Sequence, residues 1–462
     1  MKITLTILTL ITFLGLRAQE STNLTLAQAW QYALQNSPTL INAQADVEIA
    51  RKKIMETTAI GLPQINGSVE YQNFLDIPTT LLPDFISPAV YGVLLQEGLI
   101  TPAQMPDASS SQFFPAKFGT QHNASYGVTL SQLIFSGQYI VGLQASKVFG
   151  GLSQQSLEKN RIDIKHQITE TYCLILSLQE NKSFLDSNLT SFAKLLKETE
   201  AMNAQGFVEE INVDQLKLNV STLENAVNSL SRNIETAQML LKFQMGMPVE
   251  QSIILTDHLE DLMLSMNTTV LTDSAFKPAL TIDMQLMDTQ VKLQELSLKR
   301  EQSAYLPTLA GYFSYSRKAM RDEFNFFDGD QAWYPTSLIG FKLDVPIWSS
   351  GTRHARVQQA RINLDKSITS RNMVEQSLYL QYEQARIGYL SAIDKYNHEK
   401  QNVSLTEKIL DKTMIKYREG LSSSMELTQA QMQHQTSQAN YFAAVFELIS
   451  AWNKMEKLLE NN

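Results

Sequence analysis

Acidic side chains gather beside two glycines, and little else in this sequence is spaced for chemistry. Glu209, Glu210 and Asp214 follow Gly206, and Glu419 and Glu426 flank Gly420. Carboxylates grouped around a narrow opening attract cations, whereas carboxylates at the start of a helix satisfy its free N–H groups. Both readings stay open for these five, and one side chain can serve both. The six histidines (His122, His166, His258, His354, His398, His434) are scattered, with no i, i+4 pair and no HExxH, so no metal site is spelled out. No phosphate loop, dinucleotide fingerprint or GxSxG elbow occurs. The sequence therefore predicts no enzyme, no cofactor and no metal, and its remaining carboxylates read as solvated helix faces.

The elements that position these acids follow from a duplication. Two stretches match at a shift of 214 residues. Gly137 opens one interval (Ile134-Phe135-Ser136-Gly137) and Gly206 closes it; Gly351 opens the other (Trp348-Ser349-Ser350-Gly351) and Gly420 closes it. Both intervals are 69 residues long and free of proline. A helix filling one, at about 1.5 Å per residue, is roughly 100 Å long. Leu185, Leu189, Phe192 and Leu196 in the first interval, and Val403, Leu410, Met414 and Tyr417 in the second, step as coiled-coil positions do. Helical patterning resumes from about Asn212 to Met245 and from about Met425 to Leu459.

Ahead of each interval the apolar period changes to two. Ile65, Val69 and Tyr71 alternate with polar neighbours, as do Tyr126, Val128 and Leu130; the second unit repeats this at Leu309–Tyr315 and Ile339–Val345. Such strands, with one apolar and one polar face, suit a sheet between lipid or core and water. Between the strands of the first unit lies an insertion, about 74–122, which holds six of the chain's thirteen prolines and reads as a long surface loop.

The boundaries are then 1–18 for a secretory signal, 19–246 for a first repeat with its tip turn near 206, 247–276 for a less regular joining segment, and 277–462 for a second repeat with its tip turn near 420. Lys2, the apolar run Ile3–Leu16 and the small-residue site ending at Ala18 carry the signal, so cleavage is expected after Ala18. Beyond it no run of about 18 apolar residues occurs, which excludes a transmembrane helix but not barrel strands. The single cysteine, Cys173, sits in an apolar helical stretch and reads as an inert buried thiol. A net charge of −9 without a basic stripe argues against nucleic acid.

Four strands cannot close a barrel, for which about eight is the practical minimum. An open sheet in lipid leaves unpaired backbone groups at two edges, each costing several kcal/mol. Closure must come from several chains; two fill the lumen with side chains, and three leave a passage.

Together, the paired units, the tip turns Gly206-Phe207-Val208 and Gly420-Leu421-Ser422, and the junctions Leu133–Gly137 and Val345–Gly351 resemble the outer membrane efflux protein family, the TolC type, over essentially all of the mature sequence. The resemblance implies a mixed α and β fold: a homotrimer with a twelve-stranded β-barrel in outer-membrane lipid, four strands per chain, joined to a periplasmic α-helical coiled-coil barrel. It implies a passive exit duct of a tripartite efflux or type I secretion system, with a periplasmic adaptor (a membrane fusion protein) and an inner-membrane pump as partners. A structural or adhesive trimeric coiled coil is the competing reading, and the recurrence of strands between helices in both halves speaks against it. Carried over by position, the adaptor-docking tip comprises Gly206, Phe207, Val208, Gly420, Leu421 and Ser422. Tyr417, Glu426, Gln429 and Asn212 fall at gate or selectivity positions. Ser422 stands where the family can hold a gate arginine and Asn212 where it holds an acid, so closure here is expected to rely on packing and hydrogen bonds. Phe135 and Trp348, each expected at a strand end, are the candidate membrane-interface aromatics.

Overall fold

A computed structural model describes residues 22–84, 86–104, 113–265 and 276–460. The expected signal segment, 1–18, lies outside them. The elements in order are β1 (Thr22–Leu24), α1 (Leu26–Asn36), α2 (Pro38–Ala59), β2 (Gln64–Asn73), β3 (Thr79–Pro83), α3 (Ile86–Gln96), β4 (Phe113–Lys117), β5 (His122–Phe135), α4 (Gly137–Ala204) and α5 (Glu210–Met245). There follow β6 (Ile253–Leu255), α6 (Leu259–Ser265), α7 (Ile282–Ser303), β7 (Thr308–Arg321), β8 (Tyr334–Asp344), α8 (Thr352–Arg418) and α9 (Ser424–Leu459). The chain divides into two compact units that cut across the duplication.

The strand unit comprises Met55–Gln144 and Lys299–Gln358. Its main sheet is antiparallel in the order β2-β5-β7-β8, so the second strand of one repeat pairs with the first strand of the other. Val128 faces Gly67 on one side and Tyr315 on the other, and Phe313 faces Ile339. The outermost strands, β2 and β8, each have one neighbour in this sheet. Both are exposed along nearly their whole length, with Val69 at 88% and Ile339 at 77%.

The insertion is not the plain loop expected. It folds into a two-stranded antiparallel sheet, β3 with β4, and the helix α3. Three of its prolines fall where a missing N–H is tolerated: Pro83 ends a strand, Pro115 lies in a two-stranded sheet, and Pro88 sits in the first turn of α3. The joining segment is also more regular than expected, since it carries β6 and α6.

The helical unit comprises the described residues within Met1–Ile54, Ala145–Leu298 and Gln359–Asn462. One core cluster gathers Ala29, Leu40, Ile168, Tyr172, Ile175, Leu241, Met245 and Ile449 from α1, α2, α4, α5 and α9. Thr25 starts α1 with a reciprocal capping box: Gln28 N–H donates to Thr25 Oγ1 (3.2 Å), and Thr25 N–H to Gln28 Oε1 (2.9 Å). The parallel pair β1–β6 lies beside this core. Fully buried Tyr172 donates to Leu24 O (2.9 Å) and Asp257 Oδ2 (3.0 Å), so its hydroxyl is paired where water cannot reach. Cys173 is fully buried as expected, and burial pushes its thiol up to about 12.

The end of α9 is pinned to α4. Buried His166 engages Asn453 Oδ1 through Nδ1 (2.6 Å) and Glu460 Oε2 through Nε2 (2.9 Å), while Lys165 Nζ reaches Glu460 Oε1 (2.5 Å). These hydrogen bonds, from His166 first and then Lys165, hold the Glu460 carboxyl down at about 2. A carboxylate with a depressed folded pKa contributes stability above its unfolded value, and that contribution is lost as pH falls through the folded one. In acid titration, Glu460→Gln is therefore expected to lose stability at neutral pH. It should also flatten the wild-type decline between about 4.5 and about 2, read by circular dichroism. An unchanged acid limb would count against this clamp.

Candidate functional site

The two tip turns have the same backbone. Gly206 and Gly420 take the left-handed conformation, with φ of 80° and 72°. In the first, Gly206 N–H donates to Asn203 O (2.8 Å) and Phe207 N–H to Met202 O (3.0 Å); in the second, Gly420 N–H donates to Tyr417 O (3.0 Å) and Leu421 N–H to Lys416 O (2.8 Å). This is the double closure of a Schellman turn, which satisfies the last carbonyls of α4 and α8 and favours glycine at the left-handed position. The residue after that glycine commonly folds back onto its own helix. Here it does not: Phe207 and Leu421 are each 78% exposed. Val208 is half-buried, and its carbonyl accepts from Asn203 Nδ2 (2.7 Å).

Behind the turns a four-helix core forms. Leu185, Phe192 and Leu195 of α4, Leu216 and Leu223 of α5, Leu410 of α8, and Leu427 and Ala430 of α9 are all buried in one cluster. Leu189, Leu196, Met414 and Tyr417 pack against it. The coiled-coil positions of both long intervals, Val403 excepted, thus point into one shared core.

The polar residues of the turns sort into caps and crosslinks. Ser423 N-caps α9: Glu426 N–H donates to Ser423 Oγ (3.2 Å), and Ser423 N–H donates back to Glu426 Oε2 (3.2 Å). Ser422 Oγ donates to the same carboxylate. These bonds, Ser422 first, hold the Glu426 carboxyl below its usual range, although the side chain is open to solvent. The capping reading therefore describes Glu426 as placed here. Its charge persists across neutral pH, and any response of the tip to its protonation is displaced to more acid conditions. Glu209 stands at the N-cap of α5 without a side-chain bond there, Glu210 lies in that helix's first turn, and Gln429 is exposed.

Asn212 is the counterpart of Glu426 under the 214-residue shift, yet it does something else. Its Oδ1 lies 2.5 Å from Ser424 Oγ, a buried hydroxyl that also lies against Gln215 Oε1. One proton serves these two acceptors in turn. Further along, Asn219 Nδ2 donates to Thr428 Oγ1 (3.0 Å), and Arg418 stands 3.9 Å from Glu198. The first helical hairpin is thus tied to the second by uncharged hydrogen bonds and a distant ion pair. Ser424, Gln215, Asn219 and Thr428 were not distinguishable in the sequence, because polar residues near a turn look alike until the neighbouring helix is in place.

At the other candidate site the placement differs from expectation. Phe135 does end β5, but Trp348 lies four residues beyond the end of β8 and is 83% exposed. Pro346 breaks the ladder first, because it has no N–H to donate. Other aromatics of the strand unit pack on one another: Tyr71 makes edge contacts with Phe324 and Phe326 (5.5 and 5.9 Å), Trp333 lies 5.0 Å from Tyr126, and the Arg321 guanidinium stacks over Phe326 at 5.0 Å. Among the described residues, no group of histidine, cysteine and acidic side chains is arranged to hold a metal ion.

The family pattern of the outer membrane efflux proteins matches residues 281–461. That match spans most of the second repeat and less than half of the chain. Toxin and drug export protein A of Aggregatibacter actinomycetemcomitans is 22% identical to this chain over 305 residues, covering 65% of this chain and 64% of that protein, just under two thirds of its length. Among solved structures, the outer membrane protein VceC of Vibrio cholerae is 14% identical, with a TM-score of 0.68 over 95% of this chain and 96% of that one. The CmeC outer membrane channel of Campylobacter jejuni is 16% identical, with a TM-score of 0.69 over 94% and 85%. The fold of these two channels is therefore shared along nearly the whole chain, well beyond the matched second repeat.

Proposed function

We propose that this chain is an outer membrane efflux protein, three copies of which form a passive exit duct through the outer membrane, fed by an inner-membrane pump through a periplasmic adaptor. The observation that carries the reading is the four-stranded sheet with β2 and β8 at its edges. In lipid those backbone groups must be paired, and pairing β8 of one copy with β2 of the next closes twelve strands around a passage. The helices run into the periplasm as a tunnel, and the exposed Phe207 and Leu421 at the turns offer apolar anchors for the adaptor. Phe135 and Trp348 mark the membrane interface. Transport energy comes from the pump, since this chain carries no nucleotide-binding motif. The relative's name, toxin and drug export protein, supports drugs or secreted toxins as cargo.

Native mass spectrometry in detergent is expected to give three chains, and planar bilayers are expected to show discrete conductance. A stable monomer with intact strands, or a trimer without conductance, would sink the duct. Glu426→Gln retains a side chain that can complete the capping box while removing three charges from the trimer's tip, so cation selectivity should fall without loss of assembly. Unchanged selectivity would place Glu426 outside the lumen.

A further inference from the structure

The insertion between β2 and β5 carries a helix that is apolar on every side. α3 reads Ile-Ser-Pro-Ala-Val-Tyr-Gly-Val-Leu-Leu-Gln, without a charge. It is well terminated: Ile86 and Ser87 N–H donate to Asp84 Oδ1 (3.2 and 2.9 Å), and Gly98, with φ of 72°, closes the other end while Leu99 N–H donates to Leu94 O (2.9 Å). Ser87, Tyr91, Leu94 and Leu95 are half-buried on one side. Ile86, Ala89, Val90 and Val93 form the opposite stripe at helical spacing, and Ile86, Val90 and Val93 are 52%, 50% and 59% exposed. A helix of 11 residues is marginal by itself, and one that is apolar all round is normally covered.

Two observations point to what covers it. The insertion springs from β2, which lies at the edge of the sheet and so borders the next copy in the closed barrel. The surroundings also disfavour a phosphate-bearing lipid surface: from Ile54 to Ala116 the sequence has no lysine or arginine, while Asp84 and Glu97 flank the helix at its two ends. Basic residues are what bind anionic headgroups. We infer that the Ile86-Ala89-Val90-Val93 stripe of α3 packs against the same stripe of the neighbouring copies, joining the three insertions beyond the ends of the strands. The inference rests on the trimeric reading above. The insertion leaves the sheet at the strand ends away from α2 and α4, so the joined helices stand at the outer end of the passage and narrow it.

Cysteine cross-linking tests this in the full-length trimer. Cys173 is buried and its thiol protonated, so an introduced cysteine reports alone. Val90→Cys and Val93→Cys are expected to give a covalent two-chain product on mild oxidation in whole cells, and Val93→Asp should raise single-channel conductance. A three-chain mass with no cross-link from either cysteine variant overturns the stripe contact while leaving the duct intact. Efficient labelling of both cysteines by a membrane-impermeant maleimide in that trimer does the same, and so does a cysteine probe that reports lipid. A single-chain mass overturns the duct reading and this inference together.

Discussion

Gly420→Val and Gly206→Val are each expected to remove most export while leaving the trimer assembled. Neither glycine has an atom within 4 Å of where a Cβ would sit, so crowding does not forbid a side chain. The backbone does: at φ of 72° and 80° an L-residue in the left-handed region costs roughly 1–2 kcal/mol, and a β-branched one more. The turn can escape that strain by opening its Schellman closure, which would move Phe207 or Leu421 away from its present position. Asparagine tolerates the left-handed region, so Gly420→Asn should retain substantially more export than Gly420→Val. Drug survival of cells expressing each variant measures export, and native mass spectrometry measures assembly. Normal export in both valine variants, with normal adaptor capture, would remove the turns from the docking surface.

The second large effect separates two phenylalanines fifteen positions apart. Phe192 is fully buried in the core shared by α4, α5, α8 and α9, whereas Phe207 is 78% exposed. Phe192→Ala should destabilise this end of the helical unit by about 3–5 kcal/mol, through lost burial and the cavity left behind. Amide exchange should then quicken around Leu185–Leu195, Leu216–Leu223 and Leu427–Ala430, while the strands stay protected. Phe207→Ala should change stability by about 0.5 kcal/mol or less and instead weaken adaptor capture. If Phe207→Ala unfolds the tip, or Phe192→Ala leaves exchange untouched, the assignment of core and docking residues is reversed.

The elements of this protein were legible in its sequence because each is written in local terms. Alternation at Ile65–Tyr71, Tyr126–Leu130, Leu309–Tyr315 and Ile339–Val345 marks strands, since a strand's faces repeat every two residues. Proline-free intervals closed by Gly206 and Gly420 mark long helices and their turns, since only a few residues accept the left-handed region cheaply. The 214-residue shift showed that the two halves share a plan.

What only the tertiary structure decided depends on which elements become neighbours. The order β2-β5-β7-β8, which leaves one strand of each repeat at an edge, is a matter of pairing between segments about 185 residues apart, such as Val128 with Tyr315. Asn212 and Glu426 occupy equivalent positions in the repeat, but one bonds across to Ser424 and the other caps its own helix, because different side chains surround them. The proline-rich insertion reads as a loop, yet Pro83, Pro88 and Pro115 each meet a position that needs no donor, and the segment folds into a hairpin and a helix. Local propensity names the segments of a chain; contacts between distant segments, which no short window contains, choose which hydrogen bonds and which apolar faces they share.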